Sequence, residues 1–253
     1  MKRADYTVPI GLGVGLAAIG AGAMLEGIRL GFLFQPTAAL IVLGGTLGAV
    51  MVRRGTGGVW RAARAAVGLL FREKGDELEG TIARLVWLAR TARREGVRVF
   101  ENQAAASRDP LIKRALLMMA EYAEAVTVRA ALDRMLDDED EAGARDAATL
   151  EAAGGYAPTF GILGAVLGLI HILRSLDDPG SLGTGIAVAF VATIYGVGVA
   201  NLIFLPLASR LRERHGARMR QRELLADALV ALAAHESPAA ISGRFMPRPV
   251  VSK

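Results

Sequence analysis

Three histidines, His171, His215 and His235, are dispersed along the sequence without metal-ligand spacing, and there is no cysteine. Nor is there a Ser-His-Asp set or a phosphate-cradling glycine loop. No enzyme activity, cofactor or metal is therefore expected. The remaining candidates sit in apolar runs, where an ionisable side chain is costly, rare and the normal relay of a proton channel or pump. None is buried deep in a run: His171 and Glu26 lie at run edges and read as interfacial. Thr193 is the deep polar group, about 12 Å into the run that begins at Gly185, at 1.5 Å per residue. Its hydroxyl either faces a polar path or bonds back to a carbonyl of its own helix. Pro158 and Pro206 each remove a backbone hydrogen bond inside an apolar helix. At comparable depth, they read either as a hinge or as tolerated membrane prolines.

The helices that carry these residues follow from segregation. The 253 residues are 53% hydrophobic yet 22% charged, with a mean hydropathy of +0.37, so apolar and charged residues occupy different stretches, as in a polytopic membrane protein. Runs long enough to cross roughly 30 Å of hydrocarbon are Val8 to Leu25, Pro36 to Val52, Tyr156 to Leu173 and Gly185 to Ala208. The fold class expected is all-α, with four transmembrane helices and a helical cytoplasmic domain. Met1-Lys2-Arg3 resembles a signal-peptide start, but the long, Gly-rich run and a second span close behind it read as an uncleaved anchor.

Lys2, Arg3, Arg53, Arg54 and the series Arg210, Arg212, Arg214, Arg218, Arg220 and Arg222 fall on one side if both termini are cytoplasmic. The opposite loops are short and hold Glu26 and Arg29, then Arg174, Asp177 and Asp178. The net charge of +5 could suggest nucleic acid, but the basic residues border apolar runs and aromatics are few, so no nucleic-acid partner is expected.

The sequence divides into a transmembrane hairpin over 1–52, a cytoplasmic domain over 53–150, a second hairpin over 151–208 and a basic tail over 209–253. The long connection between the hairpins is a domain rather than a loop. Helical spacing predicts Val59 to Phe71, Ile82 to Phe100, Pro110 to Ala125 and Thr127 to Leu136. The acidic stretch Asp137 to Glu141 reads as a solvated helix face or turn, or as a docking surface. Glycines, among them Gly44 and Gly48 at G-x-x-x-G spacing and Gly161, Gly164 and Gly168 about a turn apart, predict close helix packing. The chain after Ala234, with Pro238, Pro247 and Pro249, is expected to be disordered.

Three segments resemble the flagellar motor stator subunits of the MotA and PomA family: QPTAALIVLGGTLGA from Gln35, EAAGGYAPTFGILGAVLGLI from Glu151, and ATIYGVGVANLIFLPLASRL from Ala192. Similarity extends over Tyr6 to Ala234 and reproduces the family order of two spans, a cytoplasmic domain, two spans and a basic tail. TolQ and ExbB proteins, the alternative as energisers of an envelope complex, have one span before their cytoplasmic domain. A structural membrane protein without conduction is the other alternative.

The resemblance implies a multi-pass protein of the bacterial inner membrane, both termini cytoplasmic, forming a pentamer around two copies of a MotB-type partner. The partner's single membrane helix carries the ion-binding aspartate, and the rotor protein FliG receives the torque. It implies conformational coupling at Pro158 and Pro206, an ion path at Thr193, and rotor contacts through Arg93 and Glu101. Sodium-type members carry a threonine where this chain has Ala165, and a methyl group cannot coordinate a cation. Protons are therefore the expected ion. Arg93 and Glu101, eight positions apart on an expected single helix, would be about 12 Å apart on broadly one side.

Overall fold

The computed structural model describes residues 6–71, 77–174 and 179–246. Lys2, Arg3, Asp177, Asp178, Pro247 and Pro249, invoked above, lie outside them. Among the described residues there is no strand, and four helices are long and apolar enough to cross a membrane. The chain folds as two units, one of residues 1–73 and 143–213, the other of 74–142 and 214–253.

The first unit holds the four spans. Helix α1 (Thr7–Leu25) buries none of its residues. That suits a helix apolar all round whose surroundings are lipid or other spans. A 3₁₀ turn at Leu30–Leu33 leads into α2 (Pro36–Ala39), which passes through a π turn at Leu40–Gly44 into α3 (Gly45–Gly68). Pro36 opens α2, where a missing N–H costs nothing.

At Gly55 α3 bends, with φ 68° and ψ 168°, a conformation essentially restricted to glycine. The expected helix over 59–71 is the part of α3 beyond this bend, and it ends at Gly68. The third span is the last part of α7 (Ala125–Arg174). The fourth runs from α8 (Pro179–Val199) through a π turn at Ala200–Phe204 into α9 (Leu205–Ala233).

The second unit has its own hydrophobic core. Ile82, Leu85 and Leu88 of α4 (Glu77–Glu95), Phe100 of α5 (Arg98–Ala106) and Leu111 and Leu116 of α6 (Pro110–Ala120) pack with Val128 and Leu132. Leu225, Leu229 and Leu232 of α9 and Ile241 of α10 (Pro238–Phe245) complete it. Asp109 caps α6, its carboxylate accepting from the N–H groups of Leu111 and Ile112, and Ser237 caps α10 by accepting from Ala240.

Four expectations need correction here. The single helix over 82–100 is two, because Gly96 adopts φ +78° and ends α4. The helix expected to reach Ala125 stops at Ala120, with Tyr122 at φ +58° in the turn that follows. The helix expected over 127–136 instead continues through the acidic stretch to Arg174, because Glu139 meets Arg218 and Arg222, and Asp140 meets His215 at 2.9 Å. The acidic run is thus a docking surface for the chain's own basic helix.

Finally, the chain after Ala234 is not disordered throughout. Residues 238–245 form α10, and Ile241 is wholly buried in the core.

Candidate ion path and coupling residues

In the first unit the spans meet through side chains that are missing. A Cβ on Gly161 would lie 2.9 Å from the Ala192 carbonyl oxygen, and one on Gly196 would lie 2.6 Å from that of Ala157. Gly164 faces the Ala192 methyl and Gly168 faces Ala189. The third and fourth spans are therefore in backbone contact along a seam of small residues, the close approach their spacing predicts. On the other side of the third span, Phe160 fills the space beside Gly45 of α3, and Ile41 lies against Gly164.

Thr193 and Ala165 border this seam from opposite helices. The Cα of Thr193 is beside Gly161, while Ala165 follows Gly164. Both are half-buried. The Thr193 hydroxyl donates to the Ala189 carbonyl at 3.4 Å, a long bond that satisfies the proton within its own helix and leaves oxygen lone pairs available.

Pro158 lies inside α7, which continues through it. The Thr159 hydroxyl donates back to the Tyr156 carbonyl at 2.7 Å. Pro206 comes after Leu205, just beyond the π turn Ala200–Phe204, whose wider winding accommodates a residue that cannot donate. Leu205 packs on Gly154, one turn before Pro158. The two prolines thus sit on neighbouring helices, to either side of the Gly154–Leu205 contact.

The structure also identifies residues that the sequence reading passed over. The Tyr195 hydroxyl donates to the Leu33 carbonyl at 2.5 Å and accepts from the Gln35 N–H at 3.3 Å, tying the fourth span to the turn between α1 and α2. A tyrosine inside an apolar run was the available signal, since its hydroxyl needs a partner when buried. Thr46, in α3, is 2% exposed and its hydroxyl has no partner among the described residues.

In the second unit Arg93 and Glu101 do not share a helix. Arg93 is in the last turn of α4, Glu101 in the first turn of α5, and Gly96 separates them, so the single-helix spacing of 12 Å does not apply. Arg93 donates to the carbonyls of His235 and Glu236 at 3.2 and 3.4 Å, at the C-terminal end of α9, where a cation is favoured by the helix dipole. Glu101 is exposed. Elsewhere, Arg222 is largely enclosed and bonds Asp109 at 2.5 Å and Glu139 at 3.0 Å. The Asp133 and Asp227 carboxylates hold the Arg129 guanidinium above its ordinary pKa through hydrogen bonds.

With this geometry the chain compares as follows. Residues 103–224 match the sequence model of the MotA/TolQ/ExbB proton channel family. The chain is 30% identical to the chemotaxis protein PomA of Vibrio alginolyticus over 237 residues, covering 94% of this chain and 92% of the relative. The fold is similar to the flagellar MotAB stator complex of Bacillus subtilis, with TM-score 0.80, 28% identity and coverage of 95% of this chain and 94% of that one. It is also similar to the structure of C. jejuni MotAB, with TM-score 0.83 over 98% and 99% of the chains at 24% identity. Whole-length similarity to PomA, together with four apolar helices in the order of two spans, a helical unit and two spans, makes this chain a member of the MotA/TolQ/ExbB proton channel family, on its MotA and PomA side.

Proposed function

We propose that the chain is a flagellar motor stator subunit that supplies the walls of a proton channel and the part that moves, while a MotB-type partner supplies the carboxylate that binds the ion. One observation carries this reading. No Asp, Glu, Lys or Arg occurs within the four apolar runs 8–25, 36–52, 156–173 and 185–208, and their one histidine, His171, lies at the edge of its run, so the chain alone lacks a deep carboxylate relay of the kind proton passage needs.

Around that core the reading extends to five copies of the chain enclosing two partner helices, in a bacterial inner membrane with both termini cytoplasmic. Thr193 would offer its free lone pairs to the path, and the methyl of Ala165 favours protons over sodium. Pro158 and Pro206, on neighbouring helices, would let the spans flex as the partner carboxylate gains and loses its proton. FliG would be engaged through the second unit. Glu101 is the more direct candidate for that contact, because Arg93 is already engaged at the end of α9.

The test is proton flux into vesicles. Vesicles holding the chain with its partner should acidify when a potential is imposed, and those holding the chain alone should not. Equal flux without the partner would contradict the division of labour.

A further inference from the structure

Beyond Gly55, residues 56–68 of α3 form a helix with two unlike faces. Gly58, Ala62 and Leu69 are buried. Ala62 and Ala66 pack with Leu150 before the third span and with Phe204, Leu207, Ala208 and Leu211 at the end of the fourth. These contacts fix the depth: the helix lies against the ends of the spans, where hydrocarbon gives way to headgroups.

Its other face is open and carries Trp60, 66% exposed, with Val67, 56% exposed, and Arg64 between them. Trp60 and Val67 are seven positions apart and therefore share a side. Arg53 and Arg54 precede the bend, and Arg61 flanks the open face. From residue 51 to 71 there is no acidic residue. Within the described residues Arg53, Arg54 and Arg64 have no ion pair, the Nε of Arg54 is enclosed without a hydrogen-bond partner, and Arg61 meets only Asp146 at 3.7 Å.

We propose that Arg53, Arg54, Arg61 and Arg64, with Trp60 and Val67, form a binding surface for the phosphate headgroups of anionic phospholipids. Three features favour this occupant. An interfacial helix needs apolar side chains that enter the acyl boundary beside cations that stay at phosphate level, and tryptophan prefers that depth. Arg53, Arg54 and Arg64 have no ion pair and Arg61 has only the long one to Asp146, so the cluster keeps a net positive charge that complements an anionic leaflet. A second copy of the chain would present the same like charges on this face. The bend at Gly55 lets this helix leave the direction of the second span.

The test uses the full chain carrying Trp87→Phe, which leaves Trp60 as its single tryptophan of the two in the sequence. It is reconstituted in phosphatidylcholine vesicles containing equal fractions of either phosphatidylglycerol or phosphatidylcholine brominated near the headgroup end of the acyl chain. Trp60 fluorescence should be quenched by both lipids, with the brominated phosphatidylglycerol favoured by about two-fold or more. The preference should vanish in R53Q/R54Q/R61Q/R64Q. It should also shrink for the unsubstituted arginines in about 1 M salt, where screening falls to about 3 Å. The salt arm decides the matter if the quadruple variant does not insert. Equal quenching by the two lipids, or a preference indifferent to salt, would overturn the role of the arginines. Absence of quenching by either would mean that Trp60 faces water or another copy of the chain.

Discussion

At the scale of single residues, what separates Gly196 from Gly198 is two positions and a neighbouring backbone. A methyl at Gly196 would meet the Ala157 carbonyl oxygen at 2.6 Å, whereas one at Gly198 meets nothing within 4 Å. Gly196→Ala is expected to destabilise the protein by about 1–3 kcal/mol through overpacking, and Gly198→Ala to leave it within about 0.5 kcal/mol. Thermal unfolding of the detergent-solubilised chain measures both.

The Thr193 hydroxyl makes one long bond to Ala189. Thr193→Val keeps the shape and removes the oxygen, so proton flux with the partner should fall by about ten-fold or more, as for loss of one well-placed polar group. Thr193→Ser should keep most of it, and equal flux in both variants would reduce Thr193 to a packing residue. The glycine spacing in the third span made a seam legible in the sequence, but not its partners. Ala189, Ala192 and Gly196 were recognisable as the other half only once the two helices were placed together, because alanine is common in any span. The buried Thr46 hydroxyl left no mark that distinguishes it from other span hydroxyls.

At the scale of elements, Arg93 joins the end of α4 to the end of α9 just before α10 begins. Arg93→Ala should loosen α10, seen as faster amide exchange over 238–245, with a loss of about 1–2 kcal/mol for hydrogen bonds from a charged donor. Glu101→Gln should leave that exchange unchanged. Equal exchange in the two variants would return Arg93 to the role of a freely exposed surface charge.

The helix starts were readable where local chemistry sets them, as at Asp109-Pro110, which caps and opens α6. The ends were not. Apolar periodicity ran on through Gly96, and only its positive φ reveals that the chain turns there. The continuous α7 was hidden for the opposite reason. Its acidic stretch reads as a boundary until Arg218, Arg222 and His215, some eighty positions away, neutralise it.

At the scale of the whole molecule, sequence order and spatial order differ. The segment after the fourth span, read as a basic tail, supplies Leu225, Leu229, Leu232 and Ile241 to the core of the second unit. No local pattern indicates that 74–142 waits for 214–253 to complete its core, because the pairing is long-range. Removing the chain after Ala234 takes away Ile241, whose side chain is fully buried. Burial of one such side chain contributes about 1.5–3 kcal/mol. The truncated protein should therefore unfold at lower denaturant while its four spans still insert, which protease protection of the spans in membranes checks.

Lacking its own relay carboxylate, this membrane unit conducts protons with a partner to drive a rotor. The most direct measurement is swimming speed of cells whose motility depends on this chain and its partner, recorded after adding a proton uncoupler and, separately, after replacing sodium. With Ala165 in place, the uncoupler should stop swimming and sodium replacement should leave speed unchanged. Swimming that stops on sodium replacement and survives the uncoupler would contradict proton drive.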